Sequence, residues 1–293
     1  MSLYSILNNN FPSHQNAIRL FHGRGGKTAE LEHIVVDYYF PTLFVTLYKE
    51  TSEELLLELR HLPIENILVQ KRFLTRPELY ALKGMIPTEA NALEDSLKFQ
   101  LTFGVSQNIG FFLDMATGRS WLKEHSKNKK VLNLFSYTCS LSVAALTGGA
   151  EEVINVDMSK AALNVGRDNH RLNNIDLKKV KFFSYDIMNS WNNIKRAGPY
   201  DIIIIDPPTN QGDSFKVERD YYKIVKRLDA MTNPGAIILA CLNAPKLQSQ
   251  FLVDLFKEHA LEFSQVGKID SAFQAMESNP EEGLKIVLFQ KLA

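Results

Sequence analysis

Short apolar runs recur through the second part of the chain, and they constrain its fold more than any other feature of the sequence. Runs this short and this apolar are typical of strands buried on both faces of a parallel sheet. Segments with helical patterning lie between them, including residues 159–173 and 249–258. Alternating strands and helices predict an α/β fold with a doubly wound, mostly parallel, seven-stranded sheet. The predicted strands are residues 131–134, 153–156, 180–184, 201–205, 236–241, 263–268 and 284–290.

The first hundred residues lack this alternation and predict a smaller α+β region. Strand patterning covers residues 40–48 and 67–69, and Thr51 with Glu54 forms a capping box that opens a predicted helix at 51–60. Residues 85–93 and 97–103 flank a turn, as in a hairpin. We therefore expect two domains, at residues 1–105 and 106–293. A longer connection precedes the last strand, which we expect to be antiparallel and at the sheet edge.

Charge and cysteine content narrow the classes of function. The chain has 33 Lys and Arg residues against 33 Asp and Glu residues, which excludes a globally basic coat for nucleic acid but leaves room for a local basic face. The two cysteines have neither disulfide nor metal spacing, so we expect no metal site and a reducing, cytoplasmic setting. No secretion signal and no apolar run of about 18 residues is present, which argues against a membrane partner.

Polar residues follow the predicted strands at the point where each one ends. Residues 133–138 (Asn-Leu-Phe-Ser-Tyr-Thr) span the end of the first strand, Asp157 follows the second, and Asp206 with two prolines follows the fourth. In open α/β sheets, ligands bind outside the carboxyl ends of the strands. These signals therefore predict one crevice that takes a nucleoside-bearing cofactor beside a polar clamp for the substrate.

Each signal also has a purely structural interpretation. The loop at 133–138 could be an ordinary turn capped by serine or threonine. Asp157 lies about 20 residues after this loop, where an acidic residue accepts hydrogen bonds from ribose hydroxyls. It could instead cap the next helix, although Ser159 is the better cap. Asp186 could accept a hydrogen bond from an adenine amino group, or it could be another cap.

Asp206 carries the sharpest signal. Pro207 and Pro208 fix φ and remove two backbone donors, so the chain after Asp206 is rigid and extended. This geometry presents the carboxylate as an acceptor for an amino group, and a strand-terminating turn is the alternative. Cys241 ends the fifth strand, where a thiolate could attack a pyrimidine carbon. We favour a core role for Cys241 and Cys139, because free cysteines mostly pack as small hydrophobes.

Together these motifs resemble those of the class I S-adenosylmethionine-dependent methyltransferases. The resemblance is strongest to the bacterial group related to the large-subunit rRNA methyltransferases that modify cytosine C5 or guanine N7. The matching stretches are residues 107–114 (Gln-Asn-Ile-Gly-Phe-Phe-Leu-Asp), 133–138, 155–159 (Asn-Val-Asp-Met-Ser), 167–170 (Arg-Asp-Asn-His) and 206–208. The resemblance implies a Rossmann-like methyltransferase domain that binds S-adenosyl-L-methionine, preceded by a substrate-recognition region.

The resemblance also implies residue roles. Phe135 and the backbone of 133–138 would hold the methionine part of the cofactor, Asp157 the ribose and Asp186 the adenine. Asp206 would lie beside the transferred methyl group, and residues 110–114 would close over the cofactor. The implied cofactor-binding residues are Phe112, Asp114, Asn133, Phe135, Ser136, Tyr137, Thr138, Asp157, Met158, Ser159, Asn169, Asp186 and Asp206. The implied catalytic residues are Asp206, Pro207 and Pro208.

Three positions depart from the family pattern. Ala116 stands where an arginine is common. Thr209 stands where amino-group methyltransferases carry an aromatic ring that stacks on the extruded base. Candidate replacements for that ring are Phe215, Tyr221 and Tyr222. Cys241 is near the position of the cytosine-C5 nucleophile, but Leu242 and Asn243 follow it instead of small residues.

The sequence thus predicts methyl transfer from S-adenosylmethionine to RNA, with a base of rRNA as the expected target. A small-molecule or protein methyltransferase is the first alternative, and a noncatalytic binding module is the second. A homodimer is compatible with the sequence, which does not specify the target atom. RNA would be favoured by a basic stripe of Arg19, Arg24, Lys27, Lys71, Arg72, Lys127, Lys129 and Lys130.

Overall fold

The computed structural model describes residues 2–292, and contacts divide the chain into two compact units. The first unit runs to Leu113 and also contains Phe273–Asn279. The second unit comprises Asp114–Ala272 and the chain from Pro280 onward. No helix within residues 2–292 is long and apolar enough to cross a lipid bilayer.

A five-stranded sheet with two helices forms most of the first unit. Its elements are α1 (Leu3–Asn9), β1 (Ile18–His22), β2 (Ile34–Tyr39), β3 (Thr42–Leu47), α2 (Glu53–Glu58), β4 (Asn66–Lys71), β5 (Glu78–Lys83), β6 (Ala90–Glu94) and β7 (Leu97–Leu101). The sheet order is β1-β2-β3-β4-β5, with β3 and β4 parallel and the other neighbours antiparallel. Leu3 and Leu7 of α1 and Leu56 of α2 share an apolar cluster with Val36 and Val45 of the sheet.

Three predictions for this unit change in detail. Ser52, not Thr51, caps α2, because its hydroxyl accepts the amide of Leu55 at 3.3 Å. The strand predicted at 40–48 begins at Thr42, since the two residues before it form the turn from β2. The predicted hairpin is β6 and β7, although its first strand begins at Ala90. β2 had no predicted counterpart, although all six of its residues are buried.

A glycine-rich turn after β1 binds the segment Phe273–Asn279. The amide of Ser278 donates to the carbonyl oxygen of Gly25 at 2.7 Å, and Lys27 Nζ donates to the carbonyl oxygen of Ala275 at 2.6 Å. A Cβ on Gly25 would lie 2.1 Å from a carbonyl oxygen of the segment. Only glycine allows this close approach of the two backbones.

Side chains of β1 hold the same segment. His22 Nε2 lies 2.9 Å from Glu277 Oε1. Arg19 donates to both carboxylate oxygens of Asp37, at 2.7 and 3.1 Å, while its guanidinium lies 4.1 Å from the centroid of the Phe273 ring. Hydrogen bonding and stacking therefore fix the segment to the first unit along most of its length.

The second unit is the predicted α/β domain. Its elements are α3 (Ala116–His125), β8 (Lys130–Leu134), α4 (Ser140–Thr147), β9 (Glu152–Asp157), α5 (Lys160–Leu172), β10 (Val180–Ser184), α6 (Trp191–Ala197), β11 (Tyr200–Ile205), β12 (Asn210–Gln211), β13 (Phe215–Lys216), α7 (Val217–Val225), β14 (Thr232–Leu242), α8 (Gln250–His259), β15 (Phe263–Ile269) and β16 (Lys285–Lys291). The main sheet has seven strands in the order β10-β9-β8-β11-β14-β16-β15. The predicted fold class is confirmed.

The last strand is antiparallel, as expected, but it does not lie at the edge of the sheet. β16 pairs with β14 on one side and β15 on the other, so β15 is the edge strand. Burial explains this order. Ile286, Val287 and Phe289 of β16 are buried on both faces, whereas β15 exposes Ser264 and Val266. A continuous apolar run favours the interior of a sheet, and polar interruptions suit an edge.

The parallel strands bring their carboxyl ends to one edge of the sheet. β8, β9, β10, β11 and β14 run in the same direction. Successive residues of each strand point to opposite faces, so Ile203 and Ile205 join one apolar cluster while Ile202 and Ile204 join the other. The helices that cover both faces leave the carboxyl edge as the place where polar loops gather.

Candidate active site

The loop after β8 has an unusual backbone for side-chain-bearing residues. Phe135, Tyr137 and Cys139 have φ values of 58°, 46° and 62°, in the left-handed region that favours glycine. This conformation costs about 1–2 kcal/mol for each residue with a Cβ. Hydrogen bonds offset the cost: the amide of Ser136 donates to Val156 O at 3.1 Å, and that of Cys139 donates to Ser136 O at 2.7 Å.

Asp157 joins this loop to the start of α5. Its Oδ2 accepts the amide N–H of Tyr137 and its Oδ1 accepts that of Ser159, both at 2.8 Å. Ser159 is the cap of α5, because its hydroxyl accepts the amide of Ala162 at 3.1 Å. Asp157 is therefore free of the capping role. Each carboxylate oxygen accepts one of these hydrogen bonds and keeps a lone pair for a ligand hydroxyl.

Asn169 supports the loop from α5. Its buried amide Nδ2 donates to the carbonyl oxygen of Thr138 at 2.9 Å. The close packing of helix and loop depends on Gly166, where a Cβ would lie 2.5 Å from the Cys139 sulfur. In this structure Asn169 holds the backbone of the loop after β8. Direct contact between Asn169 and a cofactor stays a prediction.

A buried chain of polar side chains lies behind the loop. Asn133 Nδ2 donates to Asn155 Oδ1 at 2.9 Å, Asn155 Nδ2 donates to Ser142 Oγ at 3.0 Å, and Ser142 Oγ lies 2.8 Å from His170 Nε2. His170 Nδ1 must donate to the Gly166 carbonyl oxygen, 2.6 Å away, so Nε2 accepts from the serine hydroxyl. Burial lowers the pKa of His170 to about 4. This Ser–His pair is neutral and structural.

A narrow cleft lies beyond the loop. Phe135, Met158 and Met188 contribute apolar walls, and Asp186 lies at its margin. Asp186 accepts the amide N–H of Met188 at 2.9 Å and an amide hydrogen of Asn189 at 2.6 Å. Apolar walls with carboxylate acceptors suit the flat ring and hydroxyls of a nucleoside. The structure thus brings together three of the side chains that the sequence assigned to a cofactor.

Asp206 lies at the end of β11, next to two other ionisable side chains of the second unit. Its side chain is half-buried. Burial raises the pKa of Asp206 to about 7, the charge of Asp114 acts in the same direction, and Arg119 opposes both. Asp114 also anchors the chain, because its carbonyl oxygen accepts the amide of Ala272 at 3.1 Å. A carboxyl group that titrates near neutral pH can either accept or release a proton under ordinary conditions.

Cys241 lies close to the Asp206 side chain, at the end of the neighbouring strand, and the two groups affect each other's pKa. The thiol is fully buried in an apolar cluster. Burial, reinforced by the Asp206 carboxylate, raises its pKa well above the ordinary value, so the group is a neutral thiol in this structure. Burial likewise raises the pKa of the Cys139 thiol.

The chain after Asp206 turns back to β14. Pro207 is buried and Pro208 is exposed, and Thr209 Oγ1 donates to Asn243 O at 2.5 Å. This hydrogen bond holds Thr209, the residue that stands where amino-group methyltransferases carry an aromatic ring. Among the candidate replacements, Phe215 and Tyr221 are buried, and Tyr222 packs 5.3 Å from the His259 ring. The Tyr221 hydroxyl donates to the carbonyl oxygen of Cys241 at 3.2 Å, and the buried rings of Phe215 and Tyr221 present no exposed face on which a base could stack.

The remaining predicted residue, Phe112, belongs to the first unit, where its ring is 44% exposed. Sequence reasoning missed the Ser142–His170 pair and the role of Gly166. The 28-residue separation of Ser142 and His170 gives no local signal that the two side chains meet.

Comparisons with known proteins agree with this geometry. A family model described as S-adenosylmethionine-dependent methyltransferase matches residues 18–290. Ribosomal RNA large subunit methyltransferase K/L of Shewanella loihica is 39% identical over 160 residues, which cover 53% of this chain and 22% of that protein. Ribosomal RNA large subunit methyltransferase I of Aeromonas salmonicida is 30% identical over 179 residues, covering 59% and 45%. The chain spans less than half the length of either relative.

A solved structure described as that of a methyltransferase complexed with SAH has a similar fold. The TM-score is 0.86 at 22% sequence identity, and the superposition covers 98% of this chain and 79% of the other. At this identity the likeness establishes the fold that the two chains share.

Proposed function

The chain belongs to the S-adenosylmethionine-dependent methyltransferases, and from this membership we propose that it methylates a base of RNA at the carboxyl edge of its seven-stranded sheet. The observation that carries the proposal is the environment of Asp206. Its carboxyl group has a pKa of about 7 and follows a buried strand, and two prolines fix the chain after it. A carboxylate with these properties is suited to orient a weakly acidic nucleophile.

The residues of the neighbouring cleft would hold the cofactor. Phe135 would contact the methionine part of the cofactor, Met158 offers apolar contact for the adenine ring, and Asp186 offers an acceptor for the adenine amino group. Asp157 would hold the ribose through the lone pairs that its two backbone hydrogen bonds leave free. When bound, the cofactor supplies a methyl group that the sulfonium has already activated. The protein must then align the acceptor atom and keep water away.

Asp206 would align that acceptor. As a carboxylate it would accept a hydrogen bond from the nitrogen to be methylated, and it would take up or pass on the proton that this nitrogen loses. Cys241 lies close to Asp206, and its S–H would position the carboxylate. In this assignment Cys241 is a positioning residue and forms no bond to the substrate.

The substrate class comes from the relatives. Both are named as methyltransferases of large-subunit ribosomal RNA, and we extend that class to this chain. The first unit, and the predicted region 1–105 above all, would recognise the RNA. We place the activity in the cytoplasm, where two buried free cysteines stay reduced. A monomer and a homodimer both fit this proposal.

The direct test is transfer of a labelled methyl group from S-adenosylmethionine to three fractions: ribosomal RNA, total protein and small metabolites. We expect label in the RNA fraction, and we expect Asp206→Asn to abolish most of it while cofactor binding persists in calorimetry. Label in protein or metabolites alone would assign a different substrate class. Cofactor binding without transfer to any fraction would indicate a noncatalytic module.

A further inference from the structure

The carboxyl ends of three strands also meet at one edge of the first unit. β1, β3 and β4 run in the same direction, since β1 and β3 are both antiparallel to β2, and β4 is parallel to β3. Arg24 lies in the turn after β1, Tyr48 directly follows β3 and Arg72 directly follows β4. Residues far apart in the sequence therefore form one surface, which we name the Arg24–Tyr48–Arg72 edge.

Both guanidinium groups of this edge contact the same aromatic ring. Arg24 Cζ lies 4.5 Å and Arg72 Cζ lies 5.8 Å from the centroid of the Tyr48 ring. Stacking uses the flat face of a guanidinium and leaves its N–H edges available. One of these edges donates to Asn108, from Arg72 Nη2 to Oδ1 at 3.3 Å. The ring thus reduces the motion of both cations without neutralising either.

The two charges differ from the other cations of the predicted basic stripe that lie in the first unit. Arg19 pairs with Asp37, Lys71 with Glu78, and Lys27 with a backbone carbonyl oxygen. Within residues 2–292, neither Arg24 nor Arg72 forms an ion pair with a carboxylate. In a chain of zero net charge, two unneutralised guanidiniums held side by side are a local anion site.

We propose that the Arg24–Tyr48–Arg72 edge binds phosphates of a single-stranded segment of the RNA substrate. The planar N–H fork of arginine matches the oxygens of a phosphate. Two forks on one ring suit neighbouring phosphates of one strand, and they add affinity without selecting a base sequence. The inference rests on the proposed function, because RNA is the polyanion that the methylation site requires.

The test measures binding of a large-subunit ribosomal RNA transcript and of an oligouridylate by fluorescence anisotropy at several salt concentrations. For Arg24→Gln/Arg72→Gln we expect about a tenfold or greater loss of affinity for both probes. The slope of log affinity against log salt should fall by about 1.4, since each phosphate contact on a single strand contributes about 0.7. Arg24→Lys/Arg72→Lys should keep the slope and lose part of the affinity, because the charge remains without the planar fork.

The matched control is Lys226→Gln/Arg227→Gln. These two cations of the second unit also lie on aromatic rings, 5.0 Å from the centroid of Tyr222 and 4.9 Å from that of Trp191. Equal losses in both double variants would overturn a specific site, and so would wild-type affinity and slope in the Arg24/Arg72 variant. An acidic peptide that displaces RNA from this edge would make the partner a protein.

Failure of this inference is separable from failure of the proposed function. If wild type methylates RNA while the Arg24/Arg72 variant binds RNA normally, only the docking edge is wrong. If wild type labels no RNA, the proposed function is wrong whatever the binding data show. Unchanged cofactor affinity and circular dichroism in each variant confirm that the effects do not come from misfolding.

Discussion

Both sheets of this protein gather charged residues at the carboxyl ends of their strands, but the charges have opposite sign. At the carboxyl edge of the seven-stranded sheet, the loops carry Asp157, Asp186 and Asp206. At the corresponding edge of the five-stranded sheet, they carry Arg24 and Arg72 on either side of Tyr48 in sheet order. An anionic edge suits a cofactor with a sulfonium and an ammonium, and a cationic edge suits a polyanion. The contrast teaches that strand direction gathers the loops, and that the residues in them select the ligand.

The two edges also differ in how their side chains are held. Asp157 and Asp186 each accept backbone N–H bonds, and buried Asn133 and His170 belong to a polar chain behind the first loop. The arginines of the other edge are held by one ring and one amide side chain. An edge held by many hydrogen bonds can position reacting atoms, whereas long cationic side chains with fewer contacts can adjust to a flexible strand.

The largest effect is expected for Asp206, and it tests whether the anionic edge takes part in the reaction or only binds a ligand. Asp206→Ala should lower the single-turnover rate of methyl transfer about a hundredfold or more, because it removes the group that orients and deprotonates the acceptor. Rapid-quench measurement with saturating cofactor gives the rate. A loss smaller than about tenfold would reduce Asp206 to a binding residue.

A smaller effect is expected for the residue that only holds the cofactor. Asp157→Ala should weaken cofactor binding by about 1–3 kcal/mol, since it removes charge-assisted hydrogen bonds. Isothermal calorimetry measures the affinity. The control is Asp176→Ala, which likewise removes an aspartate that accepts a backbone amide hydrogen, here that of Lys178 at 3.0 Å. Because Asp176 precedes β10, it is remote from the carboxyl edge, and equal losses in both variants would refute the ribose assignment.

A still smaller effect is expected for Cys241. A core thiol that positions its neighbour tolerates alanine, whereas a covalent nucleophile does not. Cys241→Ala should therefore keep turnover within about tenfold of wild type, a change of roughly 1.4 kcal/mol in the barrier. The same single-turnover assay measures it, after thermal denaturation confirms folding. An inactive but folded variant would point to cytosine-C5 chemistry and reverse the roles of Asp206 and Cys241.

The smallest expected effect is a shift in the pH dependence of the rate, and it tests whether the charge of Asp114 acts on Asp206. Because the carboxylate form of Asp206 is the acceptor, the single-turnover rate should rise with pH through a midpoint near 7. Asp114 raises that pKa by charge repulsion, so Asp114→Asn should move the midpoint to lower pH. Rates across a pH series in constant ionic strength give both midpoints. An unshifted midpoint would assign the titration to another group.

Much of this architecture was predictable from local sequence. The apolar runs gave the seven strands, and the strand ends gave Asp157, Asp186 and Asp206, because parallel strands deliver their carboxyl ends to one edge. The exchange of β15 and β16 was also readable, since the polar residues of β15 suit an edge. The contact roles assigned to individual cofactor residues stay predictions.

Other features could not be predicted because they depend on contacts between distant residues. The left-handed backbone at Phe135, Tyr137 and Cys139 has no glycine to announce it. Ser142 meets His170 only when α4 and α5 pack on the same sheet. Lys27 resembled an RNA contact in the sequence, and its partner in the structure is Ala275, which is 248 residues away.

The segment Phe273–Asn279 has a consequence for how this protein can be divided. The chain leaves the first unit at Leu113 and re-enters it for these few residues before returning to the second unit. No single cut therefore releases either unit whole. A fragment ending at residue 113 would expose the surfaces of Gly25 and His22 that the segment covers. A fragment starting at 114 would contain the segment Phe273–Asn279 without the unit on which it packs. Recombination at one breakpoint cannot exchange one unit intact, so the two units are inherited together.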